Sequence, residues 1–204
     1  DDRLGNLQLM VVNAATDQPL IDLNGEQASA TASTMKLLTA AAALEVLGPN
    51  YRITTRVYQD PTDKGIIYFV GAGDVTLSRT APGQQSVYPN APKLNDLALA
   101  INRVVGTTPI TKIVVDGSLF AGPQWLAGVD PSERTNGYQS LTSALQVDGD
   151  RNNPQKQTSP RSSTPEIRAG TWLQQAIGAA ASGATVQVGT MPSNAGQIAS
   201  VQSQ

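Results

Sequence analysis

Ser33-Thr34-Met35-Lys36 is the one Ser-x-x-Lys in a chain of 204 residues. Side chains three apart on a helix share a face, so the Ser33 hydroxyl and the Lys36 amine can meet. A hydroxyl is a weak nucleophile until a neighbouring base takes its proton. The chain contains no His and no Cys. A Ser-His-Asp triad, a thiolate nucleophile, an imidazole ligand and a Cys-based zinc site are therefore excluded. Any catalysis falls to Ser, Lys, Asp, Glu or Tyr. Ser33 stands where a helix begins, next to backbone N–H groups without partners and the positive end of the helix dipole, both of which favour an oxyanion. Lys36 on a mostly apolar helix is partly desolvated, which favours its neutral, proton-accepting form. The plainer reading makes Ser33 an N-cap worth ~1 kcal/mol and Lys36 a solvated charge.

Other residues carry weaker signals. Asp60, Asp63 and Asp74 match no calcium-loop spacing and read as solvated loop carboxylates. Gly71-Ala72-Gly73 lacks the third glycine of a dinucleotide fingerprint. Trp125 and Trp172 could stack on sugars but read better as packing groups. Asp148-Gly149-Asp150-Arg151-Asn152 reads as turn chemistry. Arg52 and Arg56 read as ordinary solvated charges on one strand face.

The elements that must position Ser33 and Lys36 are legible from pattern. Leu7 to Val12 and Pro19 to Leu23 predict a β-hairpin around the turn Asn13 to Gln18. Thr34 to Leu47 predicts a helix rich in Ala and Leu. It is apolar around most of its circumference and so expected to be buried. Gly48-Pro49 ends it. Tyr51 to Tyr58 and Gly65 to Val70 predict a second hairpin, followed by a glycine turn at Gly71 to Asp74 and a loop over Thr80 to Pro92. Leu94 to Val105 predicts an amphipathic helix and Lys112 to Asp116 a buried strand. Ser140 to Val147 alternates like a strand, and Asn152 to Pro165 has linker composition. Pro165 to Ala181 predicts a helix capped by Thr164, and strands close the chain at Val186 to Val188 and Ile198 to Val201. The expected class is α+β with antiparallel sheets.

Composition narrows the function classes. With 14 basic and 16 acidic residues the net charge is −2, which leaves no basic footprint for nucleic acid. Charged residues are only 15% of the chain and hydrophobic ones 40%, which argues against charge-driven disorder. No run of 18 apolar residues occurs, so no transmembrane segment is expected.

The stretch from Ala32 to Leu44 (ASTMKLLTAAAAL), continued by Leu47 to Val57 (LGPNYRITTRV), resembles the nucleophile helix and following strand of D-alanyl-D-alanine carboxypeptidases of the class C, low-molecular-mass penicillin-binding proteins. Ser-x-x-Lys is a motif of penicillin-binding proteins and class A β-lactamases. Leu7 to Leu23 resembles the family's opening hairpin. Phe69 to Leu77 resembles its GGGDPTL segment, departing at Ala72 and Val75. Val87-Tyr88-Pro89, the helix from Leu94 and Val114-Val115-Asp116 also fit, and Ala195 to Ser203 resembles the segment before the family's second catalytic motif.

The resemblance implies a fold: the N-terminal part of a β-lactamase/transpeptidase-like domain over residues 1–57, then an inserted mixed α/β domain over 58–204 that is reduced relative to larger relatives. It implies Ser33 as the acylated nucleophile, Lys36 as its proton acceptor and the Ser33 N–H as half of an oxyanion hole. It implies peptidoglycan stem peptides as substrate, β-lactams as inhibitors, no cofactor or metal, and an extracytoplasmic location. The family also uses S-x-N and K-T-G or K-S-G motifs. No Asn here has a Ser two positions earlier, and no Lys is followed by Thr-Gly or Ser-Gly. The chain starts at Asp1 and stops at Gln204 inside an apparent strand. It is accordingly expected to be an N-terminal piece, inactive without the C-terminal remainder of the polypeptide. A β-lactamase, or a non-catalytic cell-wall scaffold with a degenerate fold, are the competing readings.

Overall fold

Strands β1 (Leu9–Val12) and β2 (Pro19–Leu23) form the expected antiparallel hairpin, with Leu9 opposite Leu23 and Val11 opposite Ile21. Asn13 closes its turn: the Asn13 carbonyl accepts from the Asp17 N–H at 2.8 Å, and Asn13 Oδ1 accepts from the Ala15 N–H at 2.9 Å. A single 3₁₀ turn, Ala32–Thr34, leads into helix α1 (Met35–Leu47), which stops at Gly48 as the sequence predicts. This is a computed structural model, and it describes residues 5–204.

Helix α1 departs from expectation in one respect. It buries no side chain; Leu37 is 73% exposed and Val46 79%. A two-stranded hairpin offers too little surface to cover a helix that is apolar all round. The apolar pattern is as expected, and among the described residues of the first unit nothing covers it.

The chain divides into two units between Tyr51 and Arg52. The expected boundary after Val57 would cut strand β3 (Thr54–Gln59), which pairs over its length inside the second unit with β4 (Ile66–Val70) and β7 (Gly196–Gln202). The remaining strands are β5 (Lys112–Asp116) and β6 (Thr185–Val188), giving one five-stranded sheet in the order β6-β5-β4-β3-β7.

The sheet is mixed, which corrects the expectation of antiparallel pairing. β3 runs antiparallel to β4 and β7, but β4, β5 and β6 are mutually parallel. The cause is the two crossovers. Helix α2 (Leu94–Val105) joins β4 to β5, and after the short helix α3 (Ser132–Asn136), which sequence reading missed, α4 (Pro165–Ile177) joins β5 to β6. A parallel pair needs such a crossover. Both long helices cover one face. There Val57, Ile67, Phe69, Ile113 and Val115 meet Leu97, Ile101 and Leu173 in a single core. Each such side chain, fully buried, contributes about 1.5–3 kcal/mol.

Four further readings are corrected. Ser140 to Val147 is not a strand. It is a buried loop whose backbone bonds across to the glycine turn, Gly73 N–H to Ala144 C=O at 2.8 Å, with Asp148 N–H to Leu77 C=O at 2.7 Å just beyond. Ser143 to Val147 are all buried, and the segment forms no ladder. Asn152 to Pro165 is no linker: Ser159 and Arg161 are buried and Arg151 bridges to Arg161. Thr164 precedes α4 without a side-chain cap bond, its φ of −141° and ψ of 62° taking the hydroxyl out of line; a 3₁₀ turn, Gly178–Ala181, replaces the last turn expected of α4.

Candidate active site

Ser33 lies in the 3₁₀ turn and Lys36 in the first turn of α1, so local backbone alone brings them together. The Lys36 Nζ donates to Ser33 Oγ at 2.9 Å. Thr34, between them, ties the turn down: its hydroxyl donates to the Thr31 carbonyl, and its N–H reaches the same oxygen at 3.0 Å. Ala32 sits at φ 44°, a left-handed conformation that costs a non-glycine residue about 1 kcal/mol or more. The strained residue directly precedes the hydroxyl. Both Ser33 and Lys36 are exposed, so the desolvation expected for the amine is not supplied by the described residues. Chemically, a neutral amine at this distance could take the hydroxyl proton directly, with the direction of the hydrogen bond reversed.

The second unit concentrates charge differently. Asp148, Gly149 and Asp150 are three successive left-handed residues (φ 54°, 55° and 56°), and all are buried. Turn chemistry was the right reading, but burial makes it a charge centre. Arg79 pairs with Asp148 at 2.8 Å and Arg168 with Asp150 at 3.0 Å. Their guanidinium carbons stand 4.0 and 4.5 Å from the centre of the Trp172 ring. Burial raises the Asp150 carboxyl above the usual carboxylate value, against the pull of Ser162 and Arg168. Burial, then Arg151, lowers Arg161 to about 10. Trp172 is thus a packing group held by two cations, and Trp125 donates its indole N–H to the Val129 carbonyl at 3.0 Å.

The loop carboxylates organise turns. Asp60 Oδ1 accepts from the N–H groups of Thr62 and Asp63, and its Oδ2 from the Tyr68 hydroxyl. Asp74 accepts from the Thr76 N–H at 2.8 Å and is buried, not solvated as expected. Among the described residues no three His, Cys, Asp or Glu side chains gather as a metal site, and no helix is long and apolar enough to cross a membrane. Arg56 is half-buried on the helix-free face of the sheet, a placement set by strand register and so invisible in local sequence.

Residues 1–187 match the D-Ala-D-Ala carboxypeptidase 3 (S13) family, and the chain belongs to that family. It is 40% identical over 206 residues to a carboxypeptidase of Mycobacterium tuberculosis, covering all of this chain and 43% of that protein. It is 33% identical over 175 residues to the carboxypeptidase DacB of Mycolicibacterium smegmatis, covering 86% of this chain and 38% of the other. A D-alanyl-D-alanine carboxypeptidase of Actinomadura is 44% identical over 75 residues, 34% of this chain and 14% of that one. The chain therefore spans less than half the length of these curated relatives. Among solved structures, penicillin binding protein 4 of Haemophilus influenzae superposes with a TM-score of 0.73 at 15% identity, over 96% of this chain and 56% of that one, which shows a shared fold. A structure of the same Haemophilus protein with a β-lactam gives 0.59 at 16% identity, over 96% and 54%.

Proposed function

We propose that this chain carries the acylating half of a serine D-Ala-D-Ala carboxypeptidase. The Ser33 oxygen attacks the carbonyl between the two D-alanines of a peptidoglycan stem peptide. Lys36 takes the hydroxyl proton, the Ser33 N–H supplies one oxyanion donor, D-alanine leaves, and water releases the acyl group. Family membership supports the peptidase reading. The observation that carries the residue assignment is the 2.9 Å hydrogen bond between Lys36 Nζ and Ser33 Oγ. A β-lactam would acylate the same oxygen, and endopeptidase cleavage of cross-links follows from the same chemistry. Such a substrate puts the protein outside the cytoplasm.

The exposed α1 and the missing S-x-N and K-T-G motifs support a site completed by the C-terminal remainder, without which this chain is inactive. Penicillin labelling followed by peptide mass spectrometry tests this. The complete protein should carry a penicilloyl group on Ser33, lost in Ser33→Ala and strongly slowed in Lys36→Ala. The 204 residues alone should stay unlabelled. A complete protein that never labels would favour a non-catalytic cell-wall scaffold.

A further inference from the structure

The sheet face without helices carries one feature the acyl chemistry does not use. Arg56 on β3 is the register partner of Val70 on β4, and Val70 is the partner of Asp116 on β5. Directly paired residues point to the same face. Thr55, Phe69 and Val115 point into the core, so Arg56, Val70 and Asp116 all point to the opposite side. Two strand spacings separate the charged pair by roughly 10 Å between Cα atoms. Both charges line a cavity of about 280 Å³ together with Val70, Gly71, Ala72 and Leu119. The cavity lies where parallel β4 and β5 end, the usual place for a small ligand in such sheets.

The two charges differ in readiness. Arg56 donates one Nη1 bond, to the Thr54 carbonyl at 3.1 Å, and among the described residues it has no carboxylate partner. A half-buried guanidinium with donors to spare suits a carboxylate. Asp116 is only 4% exposed. Burial works against its charge, but the Ser118 hydroxyl, the Met191 N–H and the Ser118 N–H outweigh it and hold the carboxyl below its ordinary value. These bonds, 2.7 Å from Met191 and 3.0 Å from the Ser118 N–H, fix an anion whose oxygens each keep acceptor capacity. The cavity thus presents a cation and an anion on one wall with an apolar strip between.

From this juxtaposition we infer that the cavity binds a free amino acid, its carboxylate on Arg56, its ammonium toward Asp116 and a small side chain over Val70 and Ala72. The residues lining it all belong to the second unit, and binding needs no acyl transfer.

Chemical-shift titration of the isotope-labelled protein with alanine, either enantiomer, tests it. Saturable shifts centred on residues 54–58, 70–72 and 116–119, with Kd on the order of millimolar, are expected. Alaninamide, N-acetylalanine and the Arg56→Gln variant should each weaken binding about tenfold or more. Ala72→Leu, which adds bulk to the lining, should abolish it while the backbone spectrum elsewhere stays unchanged. No shifts up to roughly 50 mM alanine, or undiminished binding in Arg56→Gln or Ala72→Leu, would overturn the inference. N-acetylalanine binding as well as alanine would overturn the ammonium assignment. No β-lactam enters this assay, so its failure leaves the Ser33 reading standing, and an unlabelled Ser33 leaves this one standing.

Discussion

Gly71 stands against the carbonyl group of Ala144 so closely that any Cβ there would overlap backbone atoms. The same glycine donates its N–H to the Asp116 carbonyl at 2.9 Å, joining the end of β4 to the end of β5. Gly71→Ala must push the buried loop away from the sheet. We expect a loss of about 2–4 kcal/mol, as for other overpacked sites. Urea unfolding at constant m-value measures it, and a loss below about 0.5 kcal/mol would show that the loop gives way freely.

Arg79 and Asp148 form a buried pair in which the Asp148 side chain is fully enclosed. Removing the cation leaves an uncompensated charge, which costs about 3–5 kcal/mol. Arg79→Ala also strips a guanidinium from Trp172. Thermal unfolding should move down by roughly 6–15 °C, with a change in tryptophan fluorescence at temperatures where the variant is still folded.

Asp116 and Asp150 predict opposite pH slopes. The Asp116 carboxyl is lowered in the folded state, so its stabilisation is present above the unfolded value near 3.8 and is lost as pH falls through the folded value. The Asp150 carboxyl is raised, chiefly by burial, so its contribution is full below 3.8 and is lost as pH rises through the higher folded value. Urea midpoints from pH 3 upward should therefore show the advantage of wild type over Asp116→Asn growing with pH. The advantage over Asp150→Asn should shrink. Parallel slopes for the two variants would contradict both assignments.

Ala32 offers a test of strain beside the Ser33–Lys36 pair proposed to react. Its left-handed backbone suits glycine and disfavours a β-branched side chain. In the complete protein, Ala32→Gly should stay within about 1 kcal/mol of the parent stability and keep its β-lactam acylation rate. Ala32→Val should cost about 1–3 kcal/mol and slow acylation by about tenfold or more, as expected of a displaced reacting group. Stopped-flow acylation of both variants separates the outcomes; equal rates would remove any role for the turn.

How much of this was legible in sequence depends on the range of each interaction. The Ser33–Lys36 pair was legible because three residues of helix fix it. Helix α2 was legible because Leu94, Leu97, Ala98, Ile101 and Val105 repeat at helical spacing and all are buried. Strand direction was not, because β5 and β6 take theirs from the long crossover connections that carry α2 and α4. The Ser140 to Val147 segment misled because its polar and apolar residues alternate in sequence, whereas Ser143 to Val147 are all buried and bonds from the segment go to Gly73 and Glu166. Arg56 looked like a surface charge because its neighbours across the sheet are Val70 and Asp116, remote in the chain.

One consequence concerns how the hydroxyl and the amine would respond to motion. They hang from consecutive turns of one short stretch of backbone, so any bending or sliding elsewhere carries them as a single piece. Unwinding at residues 31–36 parts the two backbone positions; otherwise the two atoms separate only by rotation of the exposed side chains themselves. Inactivation that sets in before α1 melts would therefore leave the two backbone positions together and report a change in side-chain rotation or in access.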